Sequence, residues 1–365
     1  MTSGSAPVWR ARLRRQWPHV KFVGGLGLGA VAVWVLTGRR GELAGASGYL
    51  DHLRWGWIIL GAAAEGGSLV AFAMVQRNLL RAGGVTLGPG PITAVTLVSI
   101  TITNSIPAGP VMAALFTFRQ FRRRGADDVL AAWVIMATFV FAGVSLALVA
   151  GIGAAVAGAE GANLDLIGVI VTVLIGAVLM GVLFVQHRAL IWLVSAAFRL
   201  CHRVSGWPRG DLAARIDAVI SRLTAIRLSV GQALGVTAWG LANWFLDCSC
   251  LGMAFRAVGV GIPWKGLLLA YGGAQLAVNL PVTPGGLGVV EGTLTIALVA
   301  YGGAETSTVA AVLLYRILSF WGELPFGWIT WAALAVGERR HRRLAVSPVP
   351  SSPFGDAGGS EEVCA

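Results

Sequence analysis

Charged residues are scarce in this chain of 365 residues, where Asp, Glu, Lys and Arg together make up only 12%. Hydrophobic residues make up 56%. Soluble domains carry about 25% charged residues, since their surfaces must face water. The composition therefore excludes an ordinary soluble domain and indicates a polytopic membrane protein.

Side chains that bind metals or perform catalysis are also rare, with 5 His and 4 Cys. Cys201, Cys248, Cys250 and Cys364 lack the spacing of a metal site or a disulfide framework. No nucleophile has a neighbouring base, and no pair of carboxylates lies in an aqueous segment. We therefore predict no metal, no cofactor and no catalytic activity.

Acidic residues are outnumbered by basic ones, which gives a formal net charge of +11. The basic residues lie between apolar segments, and not along one surface that could follow a nucleic acid. Such clusters orient a chain in the bilayer and contact anionic head groups. They predict a multi-pass protein of the cell membrane, expected to be a bacterial inner membrane, with both termini cytoplasmic and no nucleic-acid partner.

Apolar segments separated by basic loops predict about six complete spans. Residues 1–19 form a basic cytoplasmic leader, 20–337 the transmembrane domain, and 338–365 a disordered tail. Residues 187–227 combine arginines with an apolar face, which predicts an amphipathic helix on the cytoplasmic surface. The predicted spans are Val20–Thr37, Trp55–Leu79, Asp127–Ala150, Leu164–Val185, Leu228–Val258 and Thr306–Val336, the last interrupted by Pro325.

Prolines and glycines interrupt one apolar stretch, Asn279 to Glu291. A helix cannot run through this stretch unbroken, and the freed backbone groups need partners inside the bilayer. We predict the tip of a re-entrant hairpin, entered by a helix over Leu267–Leu280 and left by a helix starting at about Gly286. The N-terminus of the leaving helix is a candidate anion site. The helix-breaking residues are Pro281, Pro284, Gly285, Gly286 and Gly288.

A second pair of short apolar limbs covers Pro91–Ala108 and Gly109–Phe118. Each limb is shorter than the roughly 20 residues of a full crossing, which predicts another re-entrant hairpin. Its Asn104, Pro107 and Gly109 match Asn279, Pro284 and Gly286. With complete spans between them, the first hairpin enters from the cytoplasm and the second from outside. The predicted fold is all-α, with the two hairpins in inverted repeats, as in many secondary transporters.

Arg316 lies about ten residues into the last predicted span and needs a counter-charge at that depth. Glu291 and Glu323 are the candidates, because Glu291 opens the neighbouring hairpin helix and Glu323 follows one heptad after Arg316. The functional alternative is that Arg316 holds a lipid phosphate through its planar fork of donors.

Glu65 and Asp247 are the other ionisable groups within predicted spans. Each could contact a cationic head group, relay protons or make a structural hydrogen bond. Gln275, like the asparagines at the hairpin tips, fits a helix cap or hairpin staple better than a ligand. The predicted substrate site comprises Glu65, Asn104, Pro107, Gly109, Asp247, Asn279, Thr283, Pro284, Gly285, Gly286, Glu291 and Arg316.

The stretches NLPVTPGGLGVVEG (279–292) and TNSIPAGPVMAALFTFRQFRRRGAD (103–127), together with the Arg-bearing last span, resemble the lysylphosphatidylglycerol synthase transmembrane family. This is the flippase domain of the multiple peptide resistance factor and its stand-alone relatives. The resemblance covers about Val20 to Gly337. It implies a helical fold with two re-entrant elements and movement of a lipid between leaflets, aminoacylated phosphatidylglycerol in the best-known members. No aminoacyl-transferase domain follows, so we do not expect synthesis of such a lipid.

The sequence therefore predicts a flippase-like protein that moves an anionic or aminoacylated phospholipid, or a polyprenyl-phosphate lipid, between leaflets. Two other classes stay open. An ion-coupled transporter of a small solute would use the same architecture, and a membrane subunit assisting a glycosyltransferase or lipid synthase would not transport at all. Membrane lipid is the expected partner, and a homo-oligomer stays open.

Overall fold

The computed structural model of the chain describes residues 53–106, 108–158, 218–278 and 286–346, with isolated helical positions between 168 and 181. The leader, the predicted span Val20–Thr37 and most of Leu164–Val185 lie outside the described residues, as does most of 187–227. The described residues contain no β-strand. Within them, the predicted all-α class is confirmed.

Helices make up nearly all of the described chain. A π-helical turn, Ile317–Trp321, joins the last two helices. The helices are α1 (Trp55–Ala82), α2 (Pro89–Ser105), α3 (Gly109–Arg123), α4 (Asp128–Gly158), α5 (Val230–Val258), α6 (Trp264–Val278), α7 (Val289–Ala300), α8 (Glu305–Arg316) and α9 (Glu323–Val346).

Three described segments are long and apolar enough to cross a membrane: Trp55–Ala82, Asp128–Ala157 and Glu305–Gly337. They match three of the predicted spans. The 29 residues of α5 are long enough but more polar, so this helix does not meet the same test of composition. Its crossing, and the total number of spans, stay predictions.

Helices α1 and α5 pack side by side and run in opposite directions. The Arg54 N–H donates to the Ala257 carbonyl at one end of the pair, 3.0 Å away. Further along, Ser68 Oγ donates to Asn243 Oδ1 at 3.0 Å. Moving forward along one helix therefore means moving backward along the other.

The chain repeats its helix order, with α5, α6 and α7 corresponding to α1, α2 and α3, and α8, the π-helical turn and α9 together corresponding to the long helix α4. A shift of 175 positions places Ser68 on Asn243, and these two residues bond to each other. Equivalent glycines also share left-handed backbone angles: Gly84 (φ 91°) matches Gly259 (φ 87°) at the same shift, and beyond the hairpin tips, where the shift is 177, Gly125 (φ 98°) matches Gly302 (φ 94°). The antiparallel partners α1 and α5 are thus the first helices of the two repeats and meet at equivalent positions.

Each short hairpin packs against the long helix of the other repeat. Helix α6 packs on α4, and α2 packs on α9. At the first of these contacts a methyl group on Gly153 would lie 2.6 Å from the Leu269 nitrogen. Small residues allow this close helix approach, as in other membrane proteins.

The first hairpin turns tightly at Ala108 and Gly109. Ala108 adopts a left-handed conformation (φ 59°), and a side chain on Gly109 would collide with the Thr103 carbonyl. The limbs α2 and α3 have 17 and 15 residues, and the other hairpin's α6 and α7 have 15 and 12. At 1.5 Å per residue even the longest spans only about 26 Å, less than a bilayer core of roughly 30 Å. That both hairpins are re-entrant stays a prediction.

Two boundaries in the last part of the chain differ from the prediction. The last span was expected to break at Pro325, but the irregularity is the π-helical turn at Ile317–Trp321. Pro325 lies in the first turn of α9, where a missing N–H costs little. The α9 backbone also remains helical to Val346, beyond the predicted start of the tail at residue 338.

The described end of the predicted amphipathic segment contacts protein. Residues 218–225 are helical, and the Leu223 and Ile226 side chains are buried in a core cluster with Leu79 and Leu130. These apolar side chains therefore face the protein core, and the surface location of the whole segment stays a prediction.

Candidate functional site

Asp247 lies in the middle of α5, buried among hydroxyl and amide donors. Tyr271 and Gln275 on α6 donate to its Oδ2, with distances of 2.7 and 3.1 Å, and Tyr315 on α8 donates to its Oδ1 at 2.8 Å. Both tyrosines are fully buried. Three donors converging on one carboxylate stabilise its charge in an apolar interior, where an unpaired charge is costly.

Glu65 on α1 faces Asp247 across the antiparallel helix pair. One turn away on one side, Gly61 lies against Cys250, and one turn away on the other, Ser68 bonds to Asn243. Between these contacts, the register of the two helices places the Glu65 carboxyl next to the Asp247 carboxyl. Its Oε2 atom is buried and has no hydrogen-bond partner in the described part of the chain.

Glu323 at the start of α9 completes a group of three carboxyl side chains. It lies close enough to interact electrostatically with both Glu65 and Asp247. The sequence placed Glu323 one heptad after Arg316, on the same face of a regular helix. The π-helical turn between them contains more residues than an α-helical turn. Glu323 and Arg316 therefore do not have the relative orientation that a regular helix would give them.

Arg316 pairs with Glu291 inside the helix bundle. Arg316 Nε donates to Glu291 Oε1 at 2.8 Å, and the two side chains are only 10% and 12% exposed. The guanidinium also lies over the Phe320 ring, 4.5 Å from its centre, in a cation–π contact. Of the two predicted counter-charges, the pair with Glu291 is confirmed.

The same Glu291 side chain caps helix α7. Its Oε2 accepts a hydrogen bond from the Gly288 N–H at 2.6 Å. This helix terminus was predicted to be open to an anion, starting at about Gly286. The regular helix begins instead at Val289, after a tight turn at Gly286, and an internal carboxylate already occupies its first donor. An incoming anion would therefore compete with Glu291.

The structure brings together four of the predicted site residues: Glu65, Asp247, Glu291 and Arg316. In contrast, Asn104 and Gly109 belong to the first hairpin, and within the described ranges neither shares a hydrogen bond or an ion pair with this cluster. Gly286 lies in the tight turn before α7. The other predicted residues, Pro107, Asn279, Thr283, Pro284 and Gly285, lie outside the described residues.

Sequence reasoning missed Tyr271 and Tyr315 and assigned Gln275 to a cap. The two tyrosines could have been identified from the sequence, because the chain has only 4 tyrosines and these two lie in apolar helices. A phenol hydroxyl buried in such a helix needs a polar partner. Asp247 is a nearby acceptor that satisfies both.

The described residues contain no group of three or more side chains suited to hold a metal ion. The arrangement can hold a proton between carboxyls and offer a guanidinium to an anion.

Away from this cluster, Asp127, next to the start of α4, binds the described end of the basic segment 187–227. Arg222 pairs with it at 2.7 Å, and the Leu130 N–H donates to it at 2.9 Å. Partial burial acts to raise the pKa of Asp127, but the hydrogen bonds from Leu130 and Arg222 and the charge of Arg222 outweigh it and lower this pKa.

These features define a helical membrane protein with a buried, mixed polar cluster where its two repeats meet. The chain belongs to the family of the lysylphosphatidylglycerol synthase transmembrane region, whose family model matches residues 22–327. The resemblance noted from the sequence is thereby confirmed.

A similar protein is a UPF0104 membrane protein from Methanothermobacter thermautotrophicus (strain Delta H). It is 24% identical to this chain over 320 residues. The match covers 81% of this chain and 90% of the relative, so the likeness extends over most of both proteins.

Proposed function

We propose that the protein is a lipid translocase of the cell membrane that moves an anionic or aminoacylated phospholipid, or a polyprenyl-phosphate lipid, between leaflets without chemical modification. Membership of a family defined by the membrane region of a lipid synthase supports the lipid substrate. Both termini are placed in the cytoplasm by the basic segments that flank the spans.

The proposal depends above all on the buried Arg316–Glu291 pair. A guanidinium inside an apolar helix is costly and marks an ion or substrate pathway in many membrane proteins. Arg316 presents a fork that fits a phosphate in two-point contact. Because Glu291 holds the guanidinium through one oxygen at 2.8 Å, an entering phosphate can replace it without leaving Arg316 unpaired.

The second oxygen of Glu291 makes this exchange reversible. It stays bonded to the Gly288 N–H at the start of α7, so a released Glu291 carboxylate remains next to Arg316. When the phosphate leaves, the internal pair forms again. In this cycle Arg316 always faces an anion, and the released Glu291 carboxylate keeps the hydrogen bond from the Gly288 N–H; an ion without any partner in the bilayer interior would cost several kcal/mol.

Access from the two leaflets follows from the paired repeats. The counterpart helices α1 and α5 are antiparallel, which supports hairpins that enter the membrane from opposite leaflets. Rocking of one repeat against the other would then expose Arg316 to each side in turn. The lipid path includes the predicted hairpin residues Asn104, Pro107, Gly109, Asn279, Thr283, Pro284, Gly285 and Gly286.

A lipid-flipping assay tests the proposal. Purified protein is placed in liposomes with fluorescent phosphatidylglycerol, and the outer-leaflet label is quenched with dithionite. We expect Arg316→Gln to lose movement above that of protein-free liposomes, while Arg256→Gln, at an exposed position in the last turn of α5, retains it. Equal rates for wild type and Arg316→Gln would contradict the proposal. Absence of flipping by wild type with several anionic lipids would favour a solute transporter or a synthase partner.

A further inference from the structure

The Glu65–Asp247 contact has a chemistry that lipid binding by Arg316 does not use. Two adjacent carboxyl groups within an apolar interior cannot both carry a negative charge without strong repulsion. The opposing positions are fixed by backbone register, since Gly61 contacts Cys250 and Ser68 bonds to Asn243 on either side. The helix pair therefore brings these two side chains together.

The donors around the pair distinguish its two members. Asp247 accepts hydrogen bonds from Tyr271, Tyr315 and Gln275, which is the environment of an ionised carboxylate. Glu65, in contrast, has a buried oxygen without a partner in the described chain. If the Glu65 carboxyl carries a proton, its O–H group can donate a hydrogen bond to the Asp247 carboxylate.

The ionisable groups on every packed helix leave this pair with excess negative charge. Helix α9 contributes Glu323, and helix α8 contributes Arg316, which is already paired with Glu291 of α7. Helix α5 adds the neutral thiols of Cys248 and Cys250. Helix α2 has no ionisable side chain, and α4 has only Asp128 at its first residue.

We propose that Glu65 and Asp247 together form an exchangeable proton site, and that release of its proton drives α1 and α5 apart during translocation. The second part rests on the proposed function. The proton moves from the Glu65 carboxyl to water on the side that is then open, and it is regained from the other side. No other bond forms or breaks.

The position of the site explains how a single proton can affect the whole molecule. Glu65 is one turn from Ser68, the residue that bonds to its own counterpart Asn243 in the other repeat. Without the proton, two negative charges face each other at the contact between the first helices of the repeats. With it, a hydrogen bond joins them. The protonation state therefore favours either separation or closure of the two repeats.

Infrared spectroscopy detects the proton without any transport measurement. Protein in an ester-free detergent is examined for the carboxylic acid C=O stretch at neutral pH, in H2O and D2O. We expect Glu65→Gln to lose one such band and Asp247→Asn to shift it, while Glu305→Gln, at an exposed position on α8, leaves it unchanged. Glutamine preserves the size and a donor of the protonated acid, so thermal unfolding of Glu65→Gln should match wild type. An unaltered band in Glu65→Gln would overturn the proton site.

Transport under imposed gradients tests the coupling. In the flipping assay, we expect the wild-type rate to change with the direction of a pH gradient and the Glu65→Gln rate to lose this dependence. Dependence on a sodium gradient at fixed pH, or an unchanged pH dependence in Glu65→Gln, would overturn the coupling. If wild type moves no lipid at all, the proposed function fails, while the infrared result still decides whether the proton site exists.

Discussion

The two repeats share one backbone plan but differ sharply in chemistry. Their first helices pair at equivalent residues, and their turns carry glycines with matching angles. Six polar positions of the second repeat correspond to largely apolar ones in the first. Asp247, Tyr271, Gln275, Glu291, Tyr315 and Arg316 correspond to Phe72, Thr96, Ile100, Ala114, Thr138 and Phe139.

This difference shows that the fold does not require the polar cluster. The first repeat forms the same helices with Phe72 and Phe139 at positions where the second has Asp247 and Arg316. Buried charges are weak contributors to stability compared with well-packed apolar residues. Their presence in one repeat only indicates that they serve a function, to which the first repeat contributes Glu65.

The largest expected effect comes from breaking the ion pair. Arg316→Met leaves the Glu291 carboxylate buried without its cation, and we expect a loss of about 3–5 kcal/mol of unfolding free energy. Replacing both residues by Met makes this site resemble the first repeat, and most of that loss should be recovered. Thermal and denaturant unfolding in detergent micelles measures both. A double variant as unstable as the single one would show that the pair supports the fold.

A slightly smaller loss is expected when the acceptor of the tyrosine network is removed. Asp247→Ala leaves the Tyr271 and Tyr315 hydroxyls without their acceptor; at roughly 1.5 kcal/mol for each buried hydroxyl, we expect a total of about 3 kcal/mol. Asp128→Ala, at the exposed start of α4, is the matched control and should change little. Equal stability of the two variants would mean that the network contributes nothing.

Tyr271 and Thr96 occupy equivalent positions and allow a direct comparison of one hydroxyl. Tyr271 donates to the Asp247 carboxylate, whereas Thr96 donates to the neutral Ile92 carbonyl at 2.9 Å and lies 3.3 Å from Gln76 Oε1. Tyr271→Phe should lower the unfolding free energy by about 1.5–3 kcal/mol, and Thr96→Val by about 0.5–1.5 kcal/mol. The reverse order would contradict a charged Asp247. Unfolding of the two single variants, measured in parallel, provides the comparison.

The smallest effect concerns the start of α4, where Asp127 makes a cap that its counterpart Ala304 cannot make. Because its pKa is lowered from 3.8 in the folded protein, the stabilisation is complete above 3.8 and is lost as the pH falls below it. The melting temperature of Asp127→Asn should therefore fall less at acidic pH than that of wild type. An equal fall in both proteins would exclude this contribution.

The sequence was informative where a physical requirement is local. An arginine within an apolar span needs a counter-charge, and this predicted the Arg316–Glu291 pair. The contact between Glu65 and Asp247 could not be derived in this way, since it depends on the antiparallel pairing of two helices far apart in the chain. The π-helical turn also had no local signal, because Ile317–Trp321 contains neither proline nor glycine. Proline was misleading at Pro325, where the first turn of a helix accepts it.

Native mass spectrometry of the protein extracted with its membrane lipids tests most directly whether Arg316 holds a lipid phosphate in competition with Glu291. In Glu291→Gln the competing charge is gone, so an anionic lipid should remain bound at higher detergent concentration than in wild type. It should be absent from Arg316→Gln and unchanged in Arg256→Gln. Equal retention of the same lipid by all four proteins would contradict a phosphate site at Arg316.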